Sequence, residues 1–132
     1  MEILVDSSVW IDFFNGVKGR ESAALHKLLE AESPLCICDI VLTEVLQGFR
    51  KDNEFELAKK HLLQFPVYTL ASPDGYVRAA ELYRKCKKKG LTVKTVDCLI
   101  AQTATDHGLT LFHKDNDFNR ISGVSNLGTV RP

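Results

Sequence analysis

Short apolar runs alternate along this chain with longer segments in which apolar residues recur at helical spacing. Ile3 to Val5 is a continuous, mostly β-branched run, as is typical of a strand buried on both faces of a parallel sheet. The polar residues Asp6, Ser7 and Ser8 end it, and the apolar residues beyond them predict a helix. The same pattern predicts further strands at 35–38, 67–70, 110–112 and 126–130, and further helices at 20–32, 41–49, 54–64, 73–89 and 96–107.

This alternation predicts the α/β class, with a central, mainly parallel sheet that helices cover on both faces. Residues of the capping type precede two of the helices, Asp39 before the helix at 41–49 and Thr95 before the helix at 96–107. No repeat, linker or low-complexity segment interrupts the pattern. The chain is therefore predicted to form a single domain over residues 1–132.

The composition describes a globular protein, with 45% hydrophobic and 26% charged residues. Lys plus Arg and Asp plus Glu both number 17, so net charge gives no general attraction to nucleic acid or membranes. A polyanionic substrate would have to be held by local charge. One basic cluster ends the helix at 73–89, where it either complements the helix dipole or contacts phosphate; it comprises Arg84, Lys85, Lys87, Lys88 and Lys89.

The four cysteines are expected to be reduced core residues. Only Cys36 and Cys38 are close in sequence, and no second pair of Cys or His completes a zinc-binding spacing. No basic leader and no apolar run of about eighteen residues is present. We therefore expect a cytoplasmic protein that does not enter a membrane.

Acidic residues recur where predicted strands end and helices begin. Asp6 and Asp115 follow strands, Asp97 opens a helix, and Glu44 lies at the edge of the apolar stripe of another. Each acid alone has a structural explanation, such as capping. In a parallel sheet, however, the strand ends and the helix starts that follow them meet at one edge, where ligands bind in open α/β folds. We expect these acids to converge there.

Convergence of these acids requires a cation. Carboxylates about 5 Å apart repel by roughly 3 kcal/mol per pair at an effective dielectric of 20. Hard oxygen ligands without His or Cys favour Mg²⁺ or Mn²⁺, with a substrate phosphate completing the shell. The natural chemistry is hydrolysis of a phosphodiester. No serine triad, P-loop or GxGxxG motif offers a rival reaction.

The acidic segments keep a specific order and spacing over nearly the whole chain, although each fragment alone is a weak signal. They are Val5 to Ile11 around Asp6, Leu42 to Gly48 around Glu44, Thr95 to Ala101 around Asp97, and Lys114 to Phe118 around Asp115.

In these segments the sequence resembles the PIN-domain ribonucleases, and among them the short VapC-type toxins of bacterial and archaeal toxin–antitoxin pairs. The resemblance implies a three-layer α/β/α sandwich, endonuclease cleavage of RNA, a homodimer, and neutralisation by a small VapB-like antitoxin in a hetero-oligomer. It also implies that Asp6, Glu44, Asp97 and Asp115 are the catalytic acids and bind Mg²⁺ or Mn²⁺. The role of Asp117 varies among such proteins.

A threonine often precedes the last acidic motif in the family, and His113 here leaves open whether that polar contact is kept.

Three other interpretations of the sequence are considered. A phosphate-accepting receiver domain is disfavoured because Asp6 has no acidic neighbour and the strand at 67–70 ends without an acceptor Asp. A free-standing RNA-processing nuclease and a PIN-like module that binds without cutting are the remaining alternatives. An inhibitory helix is expected to dock beside the helices at 9–14 and 41–49.

Overall fold

The computed structural model describes residues 1–130, so that Arg131 and Pro132 of the predicted domain lie outside the described residues. Strands and helices alternate through most of this range. The strands are β1 (Ile3–Val5), β2 (Leu35–Cys38), β3 (Val67–Tyr68), β4 (Thr110–Phe112) and β5 (Gly128–Val130). The helices are α1 (Ser7–Phe14), α2 (Arg20–Glu30), α3 (Asp39–Leu46), α4 (Asp52–Leu62), α5 (Pro73–Lys88), α6 (Thr95–Asp106) and α7 (Asn116–Gly123).

The five strands form one parallel sheet in the order β3-β2-β1-β4-β5. In the register of the central strands, Leu4 lies beside both Cys36 of β2 and Leu111 of β4. The connections after β1 and β2 build the sheet outward on one side, and β4 and β5 extend it on the other. The topological switch point therefore lies between β1 and β4, where ligands bind in folds of this kind. The predicted α/β/α sandwich with a parallel sheet is confirmed.

The core lies on the central strands and on the helices that pack against them. Leu4, Val5, Leu111 and Phe112 are completely buried, as the continuous apolar runs predict for strands covered on both faces. Trp10 of α1 is also buried and packs against Phe14, with ring centroids 5.8 Å apart. All four cysteines are free thiols in this core: Cys36, Cys38, Cys86 and Cys98.

Local predictions differ from the structure at three helices, and the strands predicted at 67–70 and 126–130 are shorter, as β3 and β5. The caps of α3 and α6 are Cys38 and Lys94, one residue before the predicted Asp39 and Thr95, which are the first helical residues instead. Neither N-cap side chain accepts a hydrogen bond from the helix backbone. The capping-type residues Asp39 and Thr95 therefore mark the starts of these helices without acting as their N-caps. Helix α7 was not predicted, since only Phe118 and Ile121 among its eight residues are buried. Within residues 1–130, no helix has both the length and the apolar character needed to cross a bilayer.

Candidate active site

Asp6 links the end of β1 to the start of α1. It is the N-cap of α1, and its Oδ2 accepts hydrogen bonds from the Ser8 hydroxyl at 2.7 Å and the Ser8 backbone N–H at 3.4 Å. Its own N–H donates to the Phe112 carbonyl at 2.9 Å, which joins the ends of β1 and β4. Asp6 is only 4% exposed, and this burial raises its pKa although the Ser8 hydrogen bonds oppose the rise. Asp6 thus combines a capping role with a position at the switch point.

Asp97 lies in the first turn of α6 and is 8% exposed. Its Oδ2 is buried and has no hydrogen-bond partner within the described part of the chain. Burial, followed by the neighbouring carboxylates of Asp115, Asp6 and Asp117, raises the pKa of Asp97 to about 7 against a smaller opposing effect of Lys94. A carboxylate in this position stays charged near neutral pH only with a counter-charge.

Asp115 and Asp117 enter the site from the start of α7. Asp115 is the N-cap, and its Oδ1 accepts a hydrogen bond from the Asp117 N–H at 2.9 Å. One carboxylate oxygen from each of Asp97, Asp115 and Asp117 lies within 4.8 Å of the others. Asp117 also accepts a hydrogen bond from Arg120 at 2.8 Å, so its charge is partly compensated from outside the site. The structure therefore brings two of the four predicted acids together with Asp117.

Glu44 lies on α3 and joins this group through Asp6. Its pKa is raised by burial and by the charge of Asp6, and lowered by a hydrogen bond from Ser7 and by Lys94. One of its oxygens, Oε1, is buried without a hydrogen-bond partner within residues 1–130. The four predicted acids are thus coupled electrostatically. The charge of Asp6 raises the pKa of Glu44, and the charges of Asp115 and Asp6 raise the pKa of Asp97.

The donor set fits a divalent cation. Three carboxylate oxygens within 4.8 Å repel one another by roughly 3 kcal/mol per pair at an effective dielectric of 20. The unpartnered buried oxygens of Asp97 and Glu44 are costly in the same way, because a buried charged acceptor without a partner loses its hydration. Oxygen ligands of this kind suit Mg²⁺ or Mn²⁺, and no His or Cys is among them.

The two residues that precede Asp115, His113 and Lys114, contact the elements around the site. His113 is 4% exposed, packs against the ring of Phe118 with centroids 5.3 Å apart, and its positive form lowers the pKa of Asp6. Lys114 forms an ion pair with Asp12 of α1. Together these contacts connect the segment that carries Asp115 to α1 and α7.

An apolar groove lies on another part of the surface. It has a volume of about 350 Å³, and α1, α2 and α4 contribute its walls. Helix α1 contributes Phe13 and Phe14 to this groove. Helix α3 does not line the groove, because its Val41 and Val45 are buried in the core. The lining residues are Phe13, Phe14, His26, Leu29, Glu30, Leu57 and His61.

Comparison with known proteins agrees with the fold. The sequence model of the PIN domain matches residues 3–124. Ribonuclease VapC11 of Mycobacterium tuberculosis is 30% identical over 127 residues, which cover 95% of each chain.

Solved structures give the same result. A chain in a toxin–antitoxin complex from Klebsiella pneumoniae is 30% identical, with a TM-score of 0.74 and coverage of 98% of this chain and 97% of the other. VapBC2 from Rickettsia felis, bound to a promoter DNA fragment, has a TM-score of 0.77 over 98% of both chains, and at 21% identity it is similar in fold alone. The chain therefore belongs to the PIN-domain family and, within it, is a homologue of the VapC ribonucleases.

Proposed function

We propose that this protein is a metal-dependent endoribonuclease that hydrolyses RNA phosphodiester bonds and acts as the toxin of a toxin–antitoxin pair. The observation that carries the proposal is the acidic group at the switch point, in which Asp97, Asp115 and Asp117 approach within 4.8 Å. The VapC relatives are ribonucleases, which supports the same reaction.

Asp6, Glu44, Asp97 and Asp115 are proposed as the catalytic and metal-binding residues. Asp117 is added as a candidate ligand because its oxygen lies in the same group as those of Asp97 and Asp115. Mg²⁺ or Mn²⁺, when bound there, supplies positive charge to the phosphoryl oxygens and lowers the pKa of an attacking water.

The chain's own residues fix the carboxylates before substrate arrives. The Ser8 hydroxyl donates to Oδ2 of Asp6, and the Asp117 N–H donates to Oδ1 of Asp115, so both carboxylates are held in a fixed orientation. The buried Oδ2 of Asp97 has its orientation set by α6. Such preorganisation limits the reorganisation that the reaction itself would otherwise require. His113 and the Lys114–Asp12 ion pair are proposed as positioning groups for Asp6 and Asp115.

The inhibitor is proposed to be a small antitoxin. An amphipathic helix suits the apolar groove of α1, α2 and α4, since exposed apolar side chains such as Leu57 would become buried there. An Arg or Lys beyond that helix would pair with the carboxylates and compete with metal. The toxin–antitoxin complexes among the structural neighbours support this partner. A homodimer of the toxin within the complex is part of the same proposal.

The proposal is tested with purified protein and a labelled RNA. Cleavage is expected with Mg²⁺ or Mn²⁺ and is expected to stop in excess EDTA; unchanged cleavage in EDTA would contradict metal dependence.

Control by an antitoxin is tested separately. The product of a neighbouring small reading frame is expected to co-purify as a hetero-oligomer and to suppress cleavage. If the complex cut RNA as fast as the free protein, a free-standing RNA-processing nuclease would be the better assignment.

A further inference from the structure

We propose that a basic tract on α5 and the segment after it binds the RNA backbone at phosphates displaced from the scissile bond. This inference rests on the proposed function, because it names how the substrate of that site is held. The basic tract is defined as Arg84, Lys85, Lys87, Lys88, Lys89 and Lys94.

The basic tract concentrates positive charge in a chain whose net charge is zero. Basic and acidic residues are balanced at 17 each, yet no acidic residue occurs between Arg84 and Lys94. Some cations elsewhere on the chain, such as Arg78 and Lys114, are paired with carboxylates. None of the ion pairs within residues 1–130 includes a cation of the basic tract. These charges are therefore available to an external polyanion.

Two lysines of the basic tract line a surface groove. Lys85 in the last turn of α5 and Lys89, its C-cap, are about one turn apart, or about 6 Å along the helix axis. They line one side of a groove of about 580 Å³, whose other side is the segment from Gly123 to Asn126 at the end of α7. None of the described residues that line the groove carries a carboxylate. The hydroxyl of Ser125 is already bonded to the Ile121 carbonyl at 2.6 Å, which leaves the two ammonium groups and the Asn126 amide to meet a phosphate.

The tract leads from this groove to the acidic site. Helix α5 is closed by the Leu91 N–H, which donates to the Cys86 carbonyl at 2.9 Å, and Gly90 takes a positive φ of 77° at the turn. The chain then reaches Lys94, the N-cap of α6. Lys94 lies close enough to the site to lower the pKa of both Glu44 and Asp97. A strand of RNA with one phosphate at the acids can thus place neighbouring phosphates along the tract.

RNA is the occupant that the charges favour. A phosphodiester approaching the five acids is repelled until metal offsets them, so affinity has to come from phosphates bound elsewhere. Single-stranded RNA can follow such a surface because its backbone charges are exposed and regularly spaced. An acidic segment of a partner protein would use the same charges and is separated from RNA by the experiment.

The experiment measures RNA affinity without turnover. Asp97→Asn protein is titrated into a labelled single-stranded RNA, and the dissociation constant is followed by anisotropy from about 50 to 200 mM salt. The test variant adds Lys85→Gln and Lys89→Gln. The matched control adds Lys51→Gln and Lys60→Gln, which remove the same charge from α4 and its cap. All four lysines are exposed, so both variants are expected to fold, which a thermal melt verifies.

The test variant is expected to bind about tenfold more weakly, and its slope of log affinity against log salt is expected to fall by about 1.4, or 0.7 for each lost phosphate contact. The control is expected to keep the slope of the parent. Equal slopes in both double variants, or no RNA binding by the parent, would overturn the proposal, as would loss of affinity for a protein partner with RNA affinity intact. Wild-type cleavage is assayed in parallel. If the wild type does not cut RNA but the slope changes as expected, the basic tract stands and the proposed function fails.

Discussion

The two ends of α6 hold aspartates in opposite electrostatic environments. Asp106, at the last residue, accepts hydrogen bonds from Arg78 at 2.7 and 3.1 Å and from Gln102 at 2.8 Å. The hydrogen bonds lower the pKa of Asp106, and those from Arg78 have the largest effect. Asp97, in the first turn, has a buried oxygen without a hydrogen-bond partner among the described residues, and its pKa is raised to about 7.

The difference distinguishes a structural carboxylate from one arranged for a ligand. Fixed donors satisfy Asp106, so nothing more is required of its surroundings. Asp97 is surrounded by other acids, and folding places it there despite the repulsion. Unfavourable placement of a charged group within a cleft is a feature of functional sites. We therefore propose that the two aspartates of α6 serve different purposes, and substitutions at the two positions can be compared directly.

The largest expected effect is on catalysis. Asp97→Asn keeps the shape of the side chain but removes the charge that is proposed to hold the cation, so RNA cleavage with Mg²⁺ is expected to fall by about a hundredfold or more. Asp106→Asn, the matched substitution at the other end of α6, is expected to cleave at close to the wild-type rate per folded molecule. Wild-type rates in Asp97→Asn, or an equal loss in both variants, would contradict the distinction.

The next effect is on stability without metal. The Asp97 pKa rises from 3.8 to about 7 on folding, so from about pH 4 to pH 7 the folded state keeps a proton that the unfolded state releases. The free energy of unfolding therefore falls as pH rises through this window, by roughly 2 to 4 kcal/mol. Asp97→Asn is expected to flatten this fall, and denaturant unfolding in EDTA at several pH values measures it. An unchanged slope in the variant would show that other groups cause the pH dependence.

At the opposite end of α6 the sign is reversed. The pKa of Asp106 is lowered, so its contribution to stability is present above the ordinary value near pH 4 and is lost as pH falls through the lowered value. Asp106→Asn is expected to destabilise the protein by about 1 kcal/mol at pH 7, a modest loss because the Arg78 side chain is 48% exposed. The loss should disappear in strong acid. A stabilised variant at pH 7 would be inconsistent with this pairing.

The smallest effect separates the two roles of Asp6. Asn is as good an N-cap as Asp and removes a buried charge near other acids, so metal-free Asp6→Asn is expected to be at least as stable as wild type. Asp6→Ala loses the cap as well and is expected to be about 1 kcal/mol less stable than Asp6→Asn. Metal-free thermal melts of both variants check this. A clear drop in the midpoint of Asp6→Asn would mean that the charge itself stabilises α1.

Helix α7 illustrates where the sequence signal was too weak. The sequence places Asp115 after a strand and predicts no helix there, whereas Asp115 and Asp117 are the N-cap and first turn of a helix. Only two buried apolar residues mark this helix, too few for the periodicity to be recognised. A capping signal was present in the sequence, since Asp is a common N-cap residue. In the structure the Asp115 side chain accepts a hydrogen bond from the Asp117 N–H, as an N-cap does. The helix also explains why Asp117 faces the site beside Asp115.

The sequence by itself determined the alternation of strands and helices, the parallel sheet, and the acids that follow strands, because burial on two faces and helix starts leave local patterns. Only the tertiary structure decided that oxygens of Asp97, Asp115 and Asp117 approach within 4.8 Å, and that Arg78 rather than another cation satisfies Asp106. Distances between carboxylates from different elements depend on strand order and helix packing, which no local pattern encodes. The placement of β1 beside β4, set by the hydrophobic core of the whole sheet, is what brings Asp6 to the acids of α6 and α7.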